Sequence, residues 1–260
     1  MDVTILTAHY NYQEYLPSAI QSFKKQTYPC HMCIIDDFSK DQDSVVEICN
    51  KELGNLVGNT LENAQTIYEY EYGTLILLDS NHKQAYARNC GIEHLWDKTG
   101  VFILLDADDE MYPTKVEEFI KIIETDPAHI GVVYADHDTL NTTTGRKVRE
   151  YREPYSFTKL RKECIVHSGS AITKIALEAI KEKTGYFDIN LSPIEDYECW
   201  IRVSEKFMII HVPKSLSLVK IQPGNCTETV KQEYWQEQWN KMYQKMLNRN
   251  VKTRSSHTQT

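Results

Sequence analysis

Five apolar runs separated by helical patterns constrain the fold of this 260-residue chain more than any other feature. "VTILTA" (3–8), "CIIDD" (33–37), "TLILLDS" (74–80), "VFILL" (101–105) and "IGVVYAD" (130–136) read as strands. They are apolar at consecutive positions, as strands buried on both faces are. Between them, apolar residues recur every three or four positions: Glu14 to Gln26, Gln42 to Lys51, and Gln84 to Trp96. Pro113 opens a further helix, at a first-turn position that needs no backbone N–H. Strands alternating with helices predict an α/β fold, a mostly parallel sheet with helices on both faces. Such sheets bind ligands beyond the carboxyl ends of their strands. Acids cluster at three of those ends: Asp36-Asp37, Asp79, and Asp106 with Asp108 and Asp109.

The second half is less regular. Residues 141–165 are polar and basic and predict a loop or short strands, while 54–73 show no readable period. "AITKIALEAIKEK" (171–183) predicts a helix, as does "EDYECWIRVSEKF" from Glu195. "MIIHV" and "LSLVKI" predict two short strands. From about Glu228 to Asn248, Trp235, Trp239, Met242 and Met246 recur at threes and fours, a helix whose apolar stripe packs on the domain. The polar last ten residues predict disorder.

Charge and cysteine usage narrow the function. A net charge of −8 gives no general reason to expect nucleic acid or an anionic membrane as partner. One stretch departs from this: Arg146, Lys147, Arg149, Arg152, Lys159, Arg161 and Lys162 face only Glu150 and Glu153. Nothing approaches the roughly 18–20 apolar residues of a membrane helix, and no leader pattern follows Met1-Asp2. Seven scattered cysteines fit a reducing compartment. The Cys30/Cys33 pair has no second pair to complete a zinc site. A cytoplasmic location is expected, with peripheral attachment to a membrane left open.

Asp106, Asp108 and Asp109 repel one another, so the cluster calls for a positive partner. Carboxylates are hard ligands suited to Mg²⁺ or Mn²⁺, and one or two of them plus substrate phosphates make an ordinary coordination sphere. On these residues alone the alternative is a solvated strand end with Asp109 as a helix cap.

The order of motifs adds a resemblance. "TAHYN" (7–11) follows the first strand, "IIDDFSKD" (34–41) the second, and "ARNCGI" (87–92) lies on the helix before "DAD" (106–108). "GYFDINLSPIEDYECWIRV" (185–203) comes last. Each motif is weak alone. As an ordered set covering roughly residues 2–222, they resemble the family 2 glycosyltransferases of the Rossmann-like GT-A fold.

That resemblance implies a metal-dependent, inverting transfer of a sugar from a nucleotide-diphosphate donor, a UDP-sugar above all, to an acceptor hydroxyl. It implies one domain over 1–222, with a donor half of about 1–110 and an acceptor half of about 111–222, then a helical extension over 223–250. Thr7, Ala8 and Tyr10 would wall the nucleotide base, with Glu14 on the adjoining helix. Asp37 would accept the uracil N–H. Arg88 would lie near the diphosphate or the acids, with Asn89 and Gly91 serving helix packing. Asp106 would contact the ribose or a metal-bound water, Ala107 would lie between the two acids, and Asp108 would bind Mn²⁺ or Mg²⁺ directly. Asp196 would be the general base, with Glu195 orienting it or the acceptor.

Two departures stand out. Lys220 and Gln222 occupy positions where the family often has arginine and a metal-binding histidine. Ala8-His9 replaces the usual proline. The acceptor is open: a glycan, a glycolipid or another anionic acceptor against the basic stretch, with modified nucleic acid less favoured. A sugar nucleotidyltransferase is the competing enzyme class, but "TAHYNYQEYL" lacks the glycine-rich basic loop that holds a triphosphate. A binding module without turnover is the non-enzymatic alternative.

Overall fold

A computed structural model describes residues 1–223 and 230–256. Eleven strands form one sheet: β1 (Val3–His9), β2 (His31–Asp36), β3 (Leu56–Glu62), β4 (Gln65–Tyr70), β5 (Gly73–Leu77), β6 (Val101–Leu104), β7 (Glu110–Met111), β8 (Ile130–Asn141), β9 (Lys147–Glu150), β10 (Ala171–Thr173) and β11 (Met208–Ile221). The order is β3-β4-β5-β2-β1-β6-β10-β8-β11-β7, with β9 paired to β8. β5, β2, β1 and β6 are parallel neighbours, and β8 and β11 a second parallel pair. β10 joins the two groups antiparallel to both. The helices are α1 (Leu16–Lys24), α2 (Gln42–Glu52), α3 (Lys83–His94), α4 (Lys115–Ile123), α5 (Phe157–Leu160), α6 (Lys174–Ile180), α7 (Glu195–Ser204) and α8 (Gln232–Ser256).

The central strands are apolar on both faces because both are covered. One apolar cluster holds Leu6, Ile35, Phe102 and Leu104 with Trp200 of α7 and Met242 of α8. The other holds Ile5, Ile34 and Ile103 with Leu16 and Ile20 of α1 and Phe119 of α4. Gly91 lets α3 lie directly on the sheet, where a Cβ would fall 2.5 Å from Leu6 and 2.6 Å from Ile35 side-chain atoms. Asn89 fastens α3 to the later chain, donating to the Phe187 carbonyl at 2.8 Å and accepting the Phe187 N–H at 2.9 Å. This brings the segment before α7 to the carboxyl ends of β1, β2 and β6.

Several elements differ from their sequence reading. Residues 54–73 contain the β3–β4 hairpin; all seven β3 residues are exposed, so no buried period marks it. "AIT" is β10 rather than the first turn of a helix, since it fills the gap between β6 and β8. β11 is one strand where two were expected: Pro213 falls at a register shift between Val212 and Ser215, and pairing with β8 resumes beyond it. The basic stretch contains β9 and α5. α8 continues to Ser256, past its expected end, with no glycine or proline to stop it. Residues 224–229, including part of "LVKIQPGNCT" and the expected start of the final helix, and the tail at 257–260 lie outside the described residues.

Candidate active site

A cavity of about 490 Å³ opens where β1, β2 and β6 end. Ala8, His9, Tyr10 and Tyr12 wall it after β1, Asp37 after β2, and Asn81, Lys83 and Gln84 at the start of α3. Asp106, Ala107, Asp108 and Asp109 form its floor, and Ser192, Pro193, Val219 and Lys220 close the far side. A larger cavity of about 690 Å³ lies at the opposite strand ends, around Val3, His31 and Lys98. The strand-end carboxylates converge only on the first.

The wall after β1 is fastened through His9, which is 1% exposed. Its Nε2 accepts the Tyr12 N–H at 3.2 Å, so Nδ1 carries the proton and donates to Asp36 Oδ1 at 2.7 Å. Asp36 also accepts from Ser39 N and Oγ and from Gln42 Nε2. Burial pushes the Asp36 carboxyl up, but the bonds from His9 and Ser39 outweigh it and leave the group below its ordinary range. Asp36 thus spends both oxygens on partners within the chain. Tyr10, 43% exposed, presents a ring to the cavity. Thr7 is fully buried, its hydroxyl among the buried atoms without a partner, and Glu14 is exposed in the turn before α1; neither lines the cavity.

Asp37 accepts the backbone N–H groups of His82 at 2.8 Å and Lys83 at 2.7 Å, one on each oxygen. Lys83 adopts φ 70°, an uncommon conformation for a side-chain-bearing residue, and so turns its N–H onto the carboxylate. Burial nonetheless holds Asp37 above its ordinary range. Each oxygen keeps a second lone pair for a ligand donor.

The acids of β6 divide the work. Asp106 Oδ1 accepts from Arg88 Nη2 at 2.9 Å and Gln84 Nε2 at 2.8 Å. Arg88, buried on α3, also donates to Glu195 Oε1 at 3.3 Å, so one guanidinium joins Asp106, just after β6, to the start of α7. Among the described side chains, Gln222 Nε2 donates to Asp108 Oδ2 at 3.1 Å, and Gln222 Oε1 is buried without a partner. Burial and then the charge of Asp106 push Asp108 up to about 6. Asp109 is buried and held well above the carboxylate range by burial and by both neighbours. It accepts the Lys220 N–H at 3.1 Å and caps no helix, since α4 starts only at Lys115.

Glu195 is 1% exposed, and burial, opposed by Arg88, pushes it up to about 7. Asp196 is half-buried; Tyr197 N donates to it at 2.7 Å, and burial holds it above its ordinary range. Neither is among the residues lining the cavity; both are close enough to Arg88 and Asp106 for their charges to interact. Sequence reasoning passed over Tyr12, Lys83, Gln84, Ser192, Pro193 and a lining role for Lys220. Gln84 alone carried a signal: it precedes Arg88 by one helical turn, so both reach the same acid. Three of the seven cations of the basic stretch are paired within the chain: Lys147 with Asp138 at 3.0 Å, Arg149 with Asp136 at 3.4 Å, and Lys159 with Glu153.

The match to known proteins agrees with this architecture. The sequence model of glycosyl transferase family 2 matches residues 4–178, and the chain belongs to that family. A teichoic acid poly(glycerol phosphate) polymerase of Staphylococcus epidermidis is 32% identical over 111 residues, 42% of this chain and 13% of its own length. An uncharacterised glycosyltransferase of Rickettsia prowazekii is 25% identical over 234 residues, 87% of this chain and 66% of its own length. The chain thus spans less than two thirds of either curated relative. Among solved structures, S. aureus TarS residues 1–349 in complex with UDP share the fold at a TM-score of 0.63 and 16% identity, over 97% of this chain and 72% of that one. The same TarS fragment with UDP-GlcNAc gives a TM-score of 0.63 at 14% identity, over 97% and 73% of the two chains. No helix among the described residues is long and apolar enough to cross a membrane.

Proposed function

We propose that the protein transfers a sugar from a nucleotide-diphosphate donor, a UDP-sugar, to an acceptor hydroxyl with inversion at the anomeric carbon. The observation that carries this reading is the convergence of Asp37, Arg88-bridged Asp106 and Asp108 on one cavity at the carboxyl ends of parallel strands. Tyr10 would stack on the base, and Asp37, already held by two backbone N–H groups, would take the uracil N–H on its remaining lone pairs. TarS, of the same fold, binds UDP and UDP-GlcNAc, which supports this donor class.

The residues present fit a divalent cation. Asp108 is a carboxylate short of positive charge, and the orphaned Gln222 Oε1 is a second hard oxygen beside it. Among the described residues no cluster of three or more His, Cys, Asp or Glu could hold a metal, so donor phosphates would complete the sphere. Asp108 and Gln222 would hold Mn²⁺ or Mg²⁺, and Asp106 would serve chiefly as the counter-ion of Arg88. When bound, such an ion offsets charge on the leaving diphosphate.

Asp196 would take the acceptor proton. Its raised carboxyl lies closer to neutral pH, where a base is most effective. Glu195, on Arg88, would hold the start of α7 against the floor. One carboxylate on the acceptor side suffices for a single displacement, whereas glycoside hydrolases use a pair.

Product analysis tests the reading. Incubation with UDP-sugars, Mn²⁺ and an acceptor panel should release UDP and leave a β-linked product from an α-linked donor. Pyrophosphate release from UTP and a sugar 1-phosphate, with no UDP released from UDP-sugars, would instead make the protein a nucleotidyltransferase, and a retained anomeric configuration would refute single displacement. Asp196→Asn should lower kcat by roughly 10²–10⁴, the usual worth of a general base. The acid limb of the pH profile should vanish with it. Weakened donor binding at unchanged kcat would move the base elsewhere.

A further inference from the structure

A third cleft, a groove of about 580 Å³, runs between the 188–191 segment and helix α8. It is continuous along the chain with the active site: Asp188, Asn190 and Leu191 line the groove, and the next two residues, Ser192 and Pro193, line the catalytic cavity. The connecting segment is held by two turns, Leu191 N to Asp188 O at 3.0 Å and Ile194 N to Leu191 O at 2.7 Å. Lys245 of α8 donates to Asp188, which ties the two walls together before any ligand arrives.

The lining chemistry selects a ligand class. Asn240, Gln244 and Asn248 of α8 recur every four residues on one face, a row about 12 Å long. With Asn190 opposite, they present amides that donate and accept hydrogen bonds, as hydroxyl groups require; Asn190 Nδ2 already donates to Asp188 at 3.1 Å and Asn240 Oδ1 accepts from Gln236 at 3.4 Å. The charged lining residues cancel, Asp188 and Glu237 against Lys241 and Lys245, and each lysine is bonded to one of those acids. A polyanion would find no surplus of positive charge there.

We propose that this groove is an acceptor subsite for a neutral, hydroxyl-rich oligosaccharide whose growing end enters the catalytic cavity past Ser192 and Pro193. The assignment rests on the transferase reading above and specifies its acceptor.

The test is binding of the full chain, without donor, to an array of neutral oligosaccharides of increasing length and of poly(glycerol phosphate) chains. The protein should capture neutral oligosaccharides more strongly with length and leave the phosphate chains behind. Asn240→Ala combined with Gln244→Ala should weaken that capture about tenfold, the loss of two neutral hydrogen bonds. Both positions are exposed on a helix, where alanine favours the fold. Preference for the phosphate chains, no capture of any neutral chain, or capture untouched by the double variant would overturn the assignment. UDP calorimetry on the same samples separates the two readings: lost UDP binding with groove binding intact would sink the donor assignment alone.

Discussion

Asp108 weighs a stability penalty against the metal-binding role proposed for it. Its folded-state carboxyl is raised to about 6 by burial and by Asp106, above the ordinary value near 3.9. The sign follows. Between about pH 4 and pH 6 the folded state holds more protons than the unfolded one, so stability falls as pH rises through that window and the penalty is complete above it. Asp108→Asn should therefore stabilise the metal-free protein at pH 7, by about 1–2 kcal/mol in chemical denaturation. The same variant should lose the Mn²⁺-dependent gain in UDP affinity, because an amide carries no charge for the ion. A variant that binds Mn²⁺ and UDP as the parent does would remove Asp108 from the metal site. Asp37 behaves differently, since its two oxygens already hold the start of α3. Asp37→Asn replaces one acceptor oxygen by a donor, so UDP affinity should fall by about 1–3 kcal/mol. Calorimetry showing equal affinity would assign Asp37 to the α3 cap alone.

Among the elements, those buried on both faces were legible and those without a buried stripe were not. β1, β2, β5, β6 and β8 were all visible as apolar runs because the fold covers them twice. The β3–β4 hairpin was invisible because β3 buries nothing. β10 was absorbed into the following helix because three residues carry no period of their own. In the site, the acids were legible from strand ends and motif order, while their partners were not. His9 was marked only as a departure from a pattern, yet it fastens the loop that presents Tyr10 and Tyr12. Nothing in "TAHYN" alone says that Asp36, 27 residues on, will accept the imidazole N–H. His9→Ala should release the Tyr12 N–H and one bond to Asp36 together. UDP affinity should drop about tenfold, as for two lost hydrogen bonds, while kcat at saturating donor changes little. An equal fall in kcat would show that the loop also shapes the reacting centre.

For the molecule as a whole, the question is whether the last helix is an appendage or part of the catalytic domain. The proposed boundary near residue 222 separates α8 in sequence, but packing does not. Met242 and Met246 are 1% and 3% exposed within the same apolar cluster as Leu6 and Phe102. Trp239 meets the Tyr197 ring edge-on at 5.0 Å, and Arg249 and Lys245 both reach Glu198. Tyr197 and Glu198 follow Asp196 on α7, so α8 braces the helix that carries the proposed base. Met242→Ala or Met246→Ala should each cost about 2–5 kcal/mol, the range for emptying a buried methionine site. Unfolding should remain a single cooperative transition, because both apolar clusters draw on early and late chain segments alike. The functional effect should be lopsided: the cavity proposed for the donor is lined by residues 8–10, 12, 37, 81, 83, 84, 106–109, 192–193 and 219–220, none of them on α8. UDP affinity should thus survive Met242→Ala at temperatures where the variant stays folded, while kcat falls as α7 loosens. Parallel urea melts, UDP calorimetry and turnover at one temperature would check this. Two separate transitions, or turnover unchanged in a destabilised variant, would make α8 an appendage.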